Sequence, residues 1–146
     1  MGKALGIDYG SVRIGIALSD ETQTISFGKE AINNDKKAIE KIKNLITKEK
    51  VTNVILGYPL NLKGEKTPQT LEVESFEEKL KEHFKNPLFS HISVSRWDER
   101  FTSKMAADSL IESGMKKKKR RDKSNLDIIA AALLLQSYLD SIKSKS

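Results

Sequence analysis

Asp8 stands inside an apolar run, Leu5-Gly6-Ile7-Asp8-Tyr9-Gly10. A carboxylate in a buried strand is costly unless a positive group meets it, so a metal ion or a phosphate-bound metal is its natural partner. A second acidic pair, Asp98-Glu99, follows the alternating segment Ile92–Trp97. Successive strand side chains point to opposite faces. Ser95, Trp97 and Glu99 therefore share one face, and Val94, Arg96 and Asp98 the other. One acid of the pair can reach a site shared with Asp8, and the longer Glu99 is placed ahead of Asp98; the other reads as a surface salt bridge with Arg96 or Arg100. The third carboxylate is Asp127, whose helical neighbours Ala130, Ala131, Leu134 and Tyr138 put it on a face that packs against a sheet. Ser124-x-x-Asp127 also reads as a near capping box, so helix cap and metal ligand both stand for this residue. Oxygen donors without cysteine suit Mg²⁺ or Mn²⁺. Two such ions about 3.5–4 Å apart activate water and stabilise a leaving oxygen in phosphodiester cleavage. His83 and His91 lie in lysine-rich or loop surroundings and read as surface residues.

The elements that must hold these acids can be traced along the chain. Ala4–Asp8 and Arg13–Ser19 form an opening hairpin, and a third strand spans Ile25–Ile32, with a bulge at Gly28. Ile39, Ile42 and Ile46 give a helix over Asp35–Glu49. Val51–Gly57 is a buried strand ended by Gly57 and Pro59. Thr67 and Pro68 open a helix as N-cap and first-turn proline, with Val73, Phe76, Leu80 and Phe84 as its apolar stripe. Ile92–Trp97 is the next strand, Thr102 caps a third helix closing at Gly114, and Ser124 opens a last helix running to about Ile142. The order β-β-β-α-β-α-β-α-α predicts an α/β fold, a mixed sheet with helices on both faces. Ligands gather where parallel strands end, so Asp8 and Asp98-Glu99 should lie near each other.

The 146 residues predict a single domain over 1–146. The absence of cysteine excludes disulfides and thiolate metal sites. No apolar run is long enough to span a bilayer, and no leader pattern stands at the amino terminus, so a cytoplasmic protein with no membrane partner is expected. The net charge of +6 is confined to residues 116–146, which hold nine Lys/Arg against three Asp/Glu, while residues 1–115 are balanced. The run Lys116, Lys117, Lys118, Lys119, Arg120, Arg121 favours a polyanion through counterion release.

Four segments together resemble the YqgF/RuvX family, the Holliday-junction-resolvase-like proteins also described as pre-16S rRNA nucleases. They are Gly6-Ile7-Asp8-Tyr9-Gly10 with Arg13-Ile14-Gly15 and Ser19-Asp20; Gly57-Tyr58-Pro59-Leu60-Asn61 with Gly64; Trp97-Asp98-Glu99-Arg100-Phe101-Thr102; and Asp127 with Ala130 to Leu139. The resemblance implies a ribonuclease H-like fold with a five-stranded sheet. It also implies a metal-dependent nuclease with Asp8, Glu99 and Asp127 as catalytic and metal-binding acids and Asp98 adjacent as a further metal-ligand candidate. Arg13, Asn61 and Arg100 join the basic run as candidate nucleic-acid contacts. The implied substrates are structured RNA, foremost the pre-16S 5′ end within ribosomal precursor particles, or branched DNA; monomer and homodimer both remain open. Where many ribonuclease H relatives carry the second acid on the fourth strand, this chain has Leu56-Gly57-Tyr58-Pro59, and the acid must come from the next strand. Asp8-Tyr9-Gly10-Ser11 also resembles the first phosphate loop of actin-like and sugar kinases, but those need a second domain that 146 residues do not supply. A nucleic-acid-binding factor without catalysis is the remaining alternative, against which all three acids stand.

Replacing Lys116 to Lys119 with alanine is expected to weaken nucleic-acid binding and flatten its salt dependence, with the rate at saturation little changed. Binding titrations across a salt series measure the slope.

Overall fold

The computed structural model describes residues 2–102 and 123–145. Five strands form one sheet in the order β3-β2-β1-β4-β5 among these residues. They are β1 (Lys3–Asp8), β2 (Arg13–Ser19), β3 (Ser26–Asn33), β4 (Val51–Tyr58) and β5 (Ser93–Asp98). β1 runs antiparallel to β2 and parallel to β4, and β4 is parallel to β5. Between them lie α1 (Ala38–Glu49) and α2 (Pro68–His83), and the chain closes on α3 (Lys123–Lys145). Thr67 accepts from the backbone of Thr70 in a reciprocal capping box with Pro68 in the first turn, so α2 starts where its N-cap chemistry dictates.

Alternation along the strands splits the core in two. Leu5, Ile7, Ile14, Ile16, Val54 and Leu56 face α1 and α2, meeting Ile42, Ile46, Val73, Phe76 and Leu80. Ala4, Ala17 and Ile55 point the other way, onto Ala131, Leu134, Leu135 and Leu139 of α3. The α3 face of the sheet is floored by small residues because the helix backbone itself comes close. A Cβ built on Gly15 would stand 2.1 Å from the Asp127 carbonyl oxygen. No described helix is long and apolar enough to cross a membrane.

Two details depart from the sequence reading. The bulge falls where Ile16 pairs with Glu30 and Ala17 with Gly28, so the extra residue is Lys29, beside Gly28. Helix α3 already includes Lys123, so Ser124 lies inside the helix rather than capping it, and the capping-box reading of Ser124 and Asp127 loses its geometry. β4 separates β1 from β5, and the ends of β1 and β5 still lie near each other as expected, with Glu99 hydrogen-bonded to Asp8. The helix expected up to Gly114 and the basic run Lys116–Arg121 lie outside the described residues. Thr102 closes a 3₁₀ turn over Glu99–Phe101, its N–H donating to the Glu99 carbonyl.

Gly15→Ala forces a methyl against backbone that cannot swing aside. We expect a loss of about 1–3 kcal/mol, the usual cost of overpacking, measured by urea unfolding.

Candidate active site

Asp8 is the last residue of β1 and lies on the α3 face, in register with Gly15 of β2. The turn from Tyr9 to Val12 is held by Asn34, whose side-chain amide donates to the Gly10 carbonyl at 2.8 Å and whose N–H donates to Val12 at 2.9 Å. Asp8 therefore sits on a fixed strand end.

Glu99 arrives from two strands away, and Gly57 of the intervening β4 makes that possible. A Cβ on residue 57 would meet the Glu99 carboxyl oxygen at 2.5 Å and a Leu134 methyl at 2.3 Å. The Glu99 carboxyl thus fills the place over β4 that a side chain at position 57 would occupy. It hydrogen-bonds the Asp8 carboxyl, and both groups are perturbed. Burial raises Glu99 to about 8, reinforced by the Asp8 charge, by its hydrogen bond to Asp8, and by Asp98. Burial also raises Asp8 to about 6, opposed by the hydrogen bond from Glu99 and helped by the Asp127 charge. Two carboxyls so placed share a proton, with Glu99 the donor.

Asp127 lies on the sheet-facing side of α3 close enough to raise Asp8 through its charge. Its own Oδ2 accepts from Arg13 Nε at 2.9 Å. Among the described residues, no group of three acidic or histidine side chains is close enough to hold one ion together. The structure brings Asp8 and Glu99 together and leaves Asp127 beside them, paired to Arg13. Among the candidate nucleic-acid contacts, Arg13 is committed to Asp127.

Asp98 does not join the pair. Both of its oxygens accept from Arg100, with the Nη2 contact at 2.6 Å, and this holds its carboxyl below the usual range. Arg96, on the same strand face, makes a two-point bond to Glu77 of α2 and stacks its guanidinium 4.5 Å from the Tyr58 ring centre. Asn61 is occupied within its own loop, its Oδ1 accepting from the N–H groups of Lys63 and Glu65. Arg100 is turned onto Asp98. The sequence reading missed the Arg13–Asp127 pair, whose partners lie 114 positions apart; Asp98–Arg100 is one of the two salt bridges it offered for the acid left out of the site.

The donor set fits a hard divalent cation. Two carboxyls held together at the cost of a raised pKa, all-oxygen and beside a third acid, are what Mg²⁺ or Mn²⁺ would relieve.

Comparison with known structures identifies the fold class first. Thermus thermophilus RuvC, solved in complex with a Holliday junction substrate, superposes with a TM-score of 0.61 at 12% identity, covering 97% of this chain and 96% of RuvC. The yeast mitochondrial Holliday junction resolvase gives 0.61 at 14% identity over 94% of this chain and 78% of its own. The architecture is the ribonuclease H-like fold of the RuvC type. The chain belongs to the RuvX family, whose model, described as Holliday junction resolvase, matches residues 2–141. A relative from Flavobacterium psychrophilum, named "Putative pre-16S rRNA nuclease", is 42% identical over 95% of this chain and 97% of its own length. One of the same name from a Sulfurihydrogenibium species is 38% identical over 97% and 92%.

The sign of the pH dependence follows from the raised carboxyls. The folded chain keeps protons that the unfolded chain has released above its ordinary carboxylate pKa, so this pair's contribution is full at low pH and lost as pH rises through about 8. Without metal, the Tm should fall from about pH 5 to about pH 8. Mg²⁺ should oppose the fall, and Glu99→Gln should flatten it; thermal melts across that range read all three.

Proposed function

We propose that this chain is a divalent-metal-dependent nuclease that hydrolyses phosphodiester bonds in structured nucleic acid, with the 5′ end of pre-16S rRNA in ribosomal precursor particles as its substrate in the cytoplasm. The carrying observation is the convergence of Asp8 and Glu99 over the space left by Gly57, with the raised pKa that this closeness imposes. The name borne by a relative 42% identical points to the RNA.

Asp8 and Glu99 would hold Mg²⁺ or Mn²⁺, with Asp127 as the third donor once its bond to Arg13 is exchanged. A bound divalent cation supplies Lewis-acid stabilisation and an activated water. The chain's own residues do the rest. Asp8 fixes one donor on a strand end, while Glu99 must surrender the proton it shares with Asp8. Arg13 is the cation beside Asp127; an incoming phosphodiester competes for its guanidinium, which frees the Asp127 carboxylate as the substrate docks.

The test offers a 5′-extended 16S precursor RNA and a four-way DNA junction with and without Mg²⁺ or Mn²⁺. The precursor should be cut only with metal. Glu99→Gln should abolish turnover with binding largely intact, and Asp98→Asn should cost less. Full cleavage in EDTA would overturn the mechanism, and cleavage of the junction alone would overturn the substrate.

A further inference from the structure

Asp98 and Arg100 flank Glu99, and both of their side chains are spent on each other. Asp98 Oδ1 accepts from the Arg100 backbone N–H at 3.0 Å, capping the 3₁₀ turn that starts at Glu99. The same carboxylate receives the guanidinium fork, Nε at 3.1 and 3.0 Å and Nη2 at 2.6 Å. The fork in turn rests on the loop after β4. A Cβ on Gly64 would come 3.0 Å from Arg100 Nη1, and Gly64 has φ +81°, a conformation that only glycine adopts easily. Asn61 closes that loop, its carbonyl accepting from the Gly64 N–H and its side chain from Lys63 and Glu65. The far end of the turn is tied to α3, where Ser137 Oγ donates to the Phe101 carbonyl at 2.9 Å.

We infer that Asp98 and Arg100 are positioning residues for Glu99, clamping the 3₁₀ turn against the Gly64 loop so that the Glu99 carboxyl reaches over Gly57 to Asp8. The inference rests on the reading of Glu99 as a metal-binding acid. The clamp compensates for a donor that no strand carries: Glu99 lies beyond β5 and must cross β4, so the turn's geometry sets its reach. A cation on Asp98 would have to displace a two-point guanidinium contact, and a phosphate on Arg100 would have to undo the same bond. Partly exposed ion pairs contribute little to global stability. The clamp therefore predicts a distinctive phenotype, in which the acid's function is lost and the fold is kept.

The variants are Asp98→Asn, Arg100→Gln, Arg100→Lys and the Asp98→Asn/Arg100→Gln double. Each should lower kcat about 10–100-fold, as lost support for a metal-binding group does, with KM for the precursor RNA unchanged. The Mn²⁺ concentration giving half-maximal thermal stabilisation should rise by a similar factor, and the metal-free Tm should barely move. The double should be no worse than either single, the mark of one shared interaction. Lysine keeps the charge but lacks the fork, so Arg100→Lys should not rescue. A wild-type-like Arg100→Lys with a raised KM in Arg100→Gln would make Arg100 a phosphate contact and overturn the clamp. Loss of Mn²⁺ stabilisation in Asp98→Asn alone would make Asp98 a ligand and overturn it too. A wild-type chain stabilised by Mn²⁺ that cuts neither nucleic acid would sink the proposed substrate, and the Mn²⁺ titrations would still decide the clamp. No Mn²⁺ stabilisation of the wild type would overturn both.

Discussion

Holding two carboxyl groups against each other in a partly dehydrated cleft is unfavourable, and much of this molecule is arranged around tolerating it. Like charges at such range cannot both ionise freely, and burial adds to the penalty at Asp8 and Glu99. The pair persists because each acid is fixed by something that does not give way. Asp8 belongs to a central strand with partners on both sides. Glu99 is pressed into a gap over β4 with Leu134 at its edge. Strain of this kind, located at one spot and supported by ordinary packing elsewhere, is what a ligand of opposite charge would relieve.

The two faces of the sheet support this spot unequally. On one side α1 and α2 cover a thick layer of branched side chains, and Arg96 ties the edge strand to α2 through Glu77. On the other, a single helix lies close over glycines and alanines, which brings the Asp127 backbone near Gly15 and its side chain to Arg13. The thick side supplies rigidity and the thin side proximity. A bulkier residue under α3 would lift the third acid away from the first.

Most of the scaffold was readable from local chemistry. The strand Arg13–Ser19 has the bounds read from its apolar run, and Thr67-Pro68 starts α2 by cap and proline. Strand alternation anticipated that Asp98 and Glu99 part, although Glu99 itself lies in the turn beyond β5. Contacts across the chain were not readable in this way. Arg13 and Asp127 are 114 positions apart, and their pairing depends on how closely α3 descends on the sheet. The glycines that permit the descent, Gly6 and Gly15, carry no signal in the strand pattern that a helix will sit on them. In the sequence Gly57 marks only the absence of an acid; that Glu99 occupies the vacated space depends on the turn after β5 in three dimensions. Helix α3 already includes Lys123, a start that the Ser-x-x-Asp spacing does not mark.

The three acids belong to parts of the molecule that differ in how they come apart. Asp8 is embedded in the middle of the sheet, which opens only with the fold as a whole, whereas Glu99 hangs from a single short turn fastened by a few side-chain bonds. Opening such a turn is far cheaper than global unfolding. A cation bridging the two would therefore be released at the rate at which the turn frays, with the sheet intact. Its residence time would be a property of that turn, separable from the protein's overall stability and open to adjustment without touching a single donor atom.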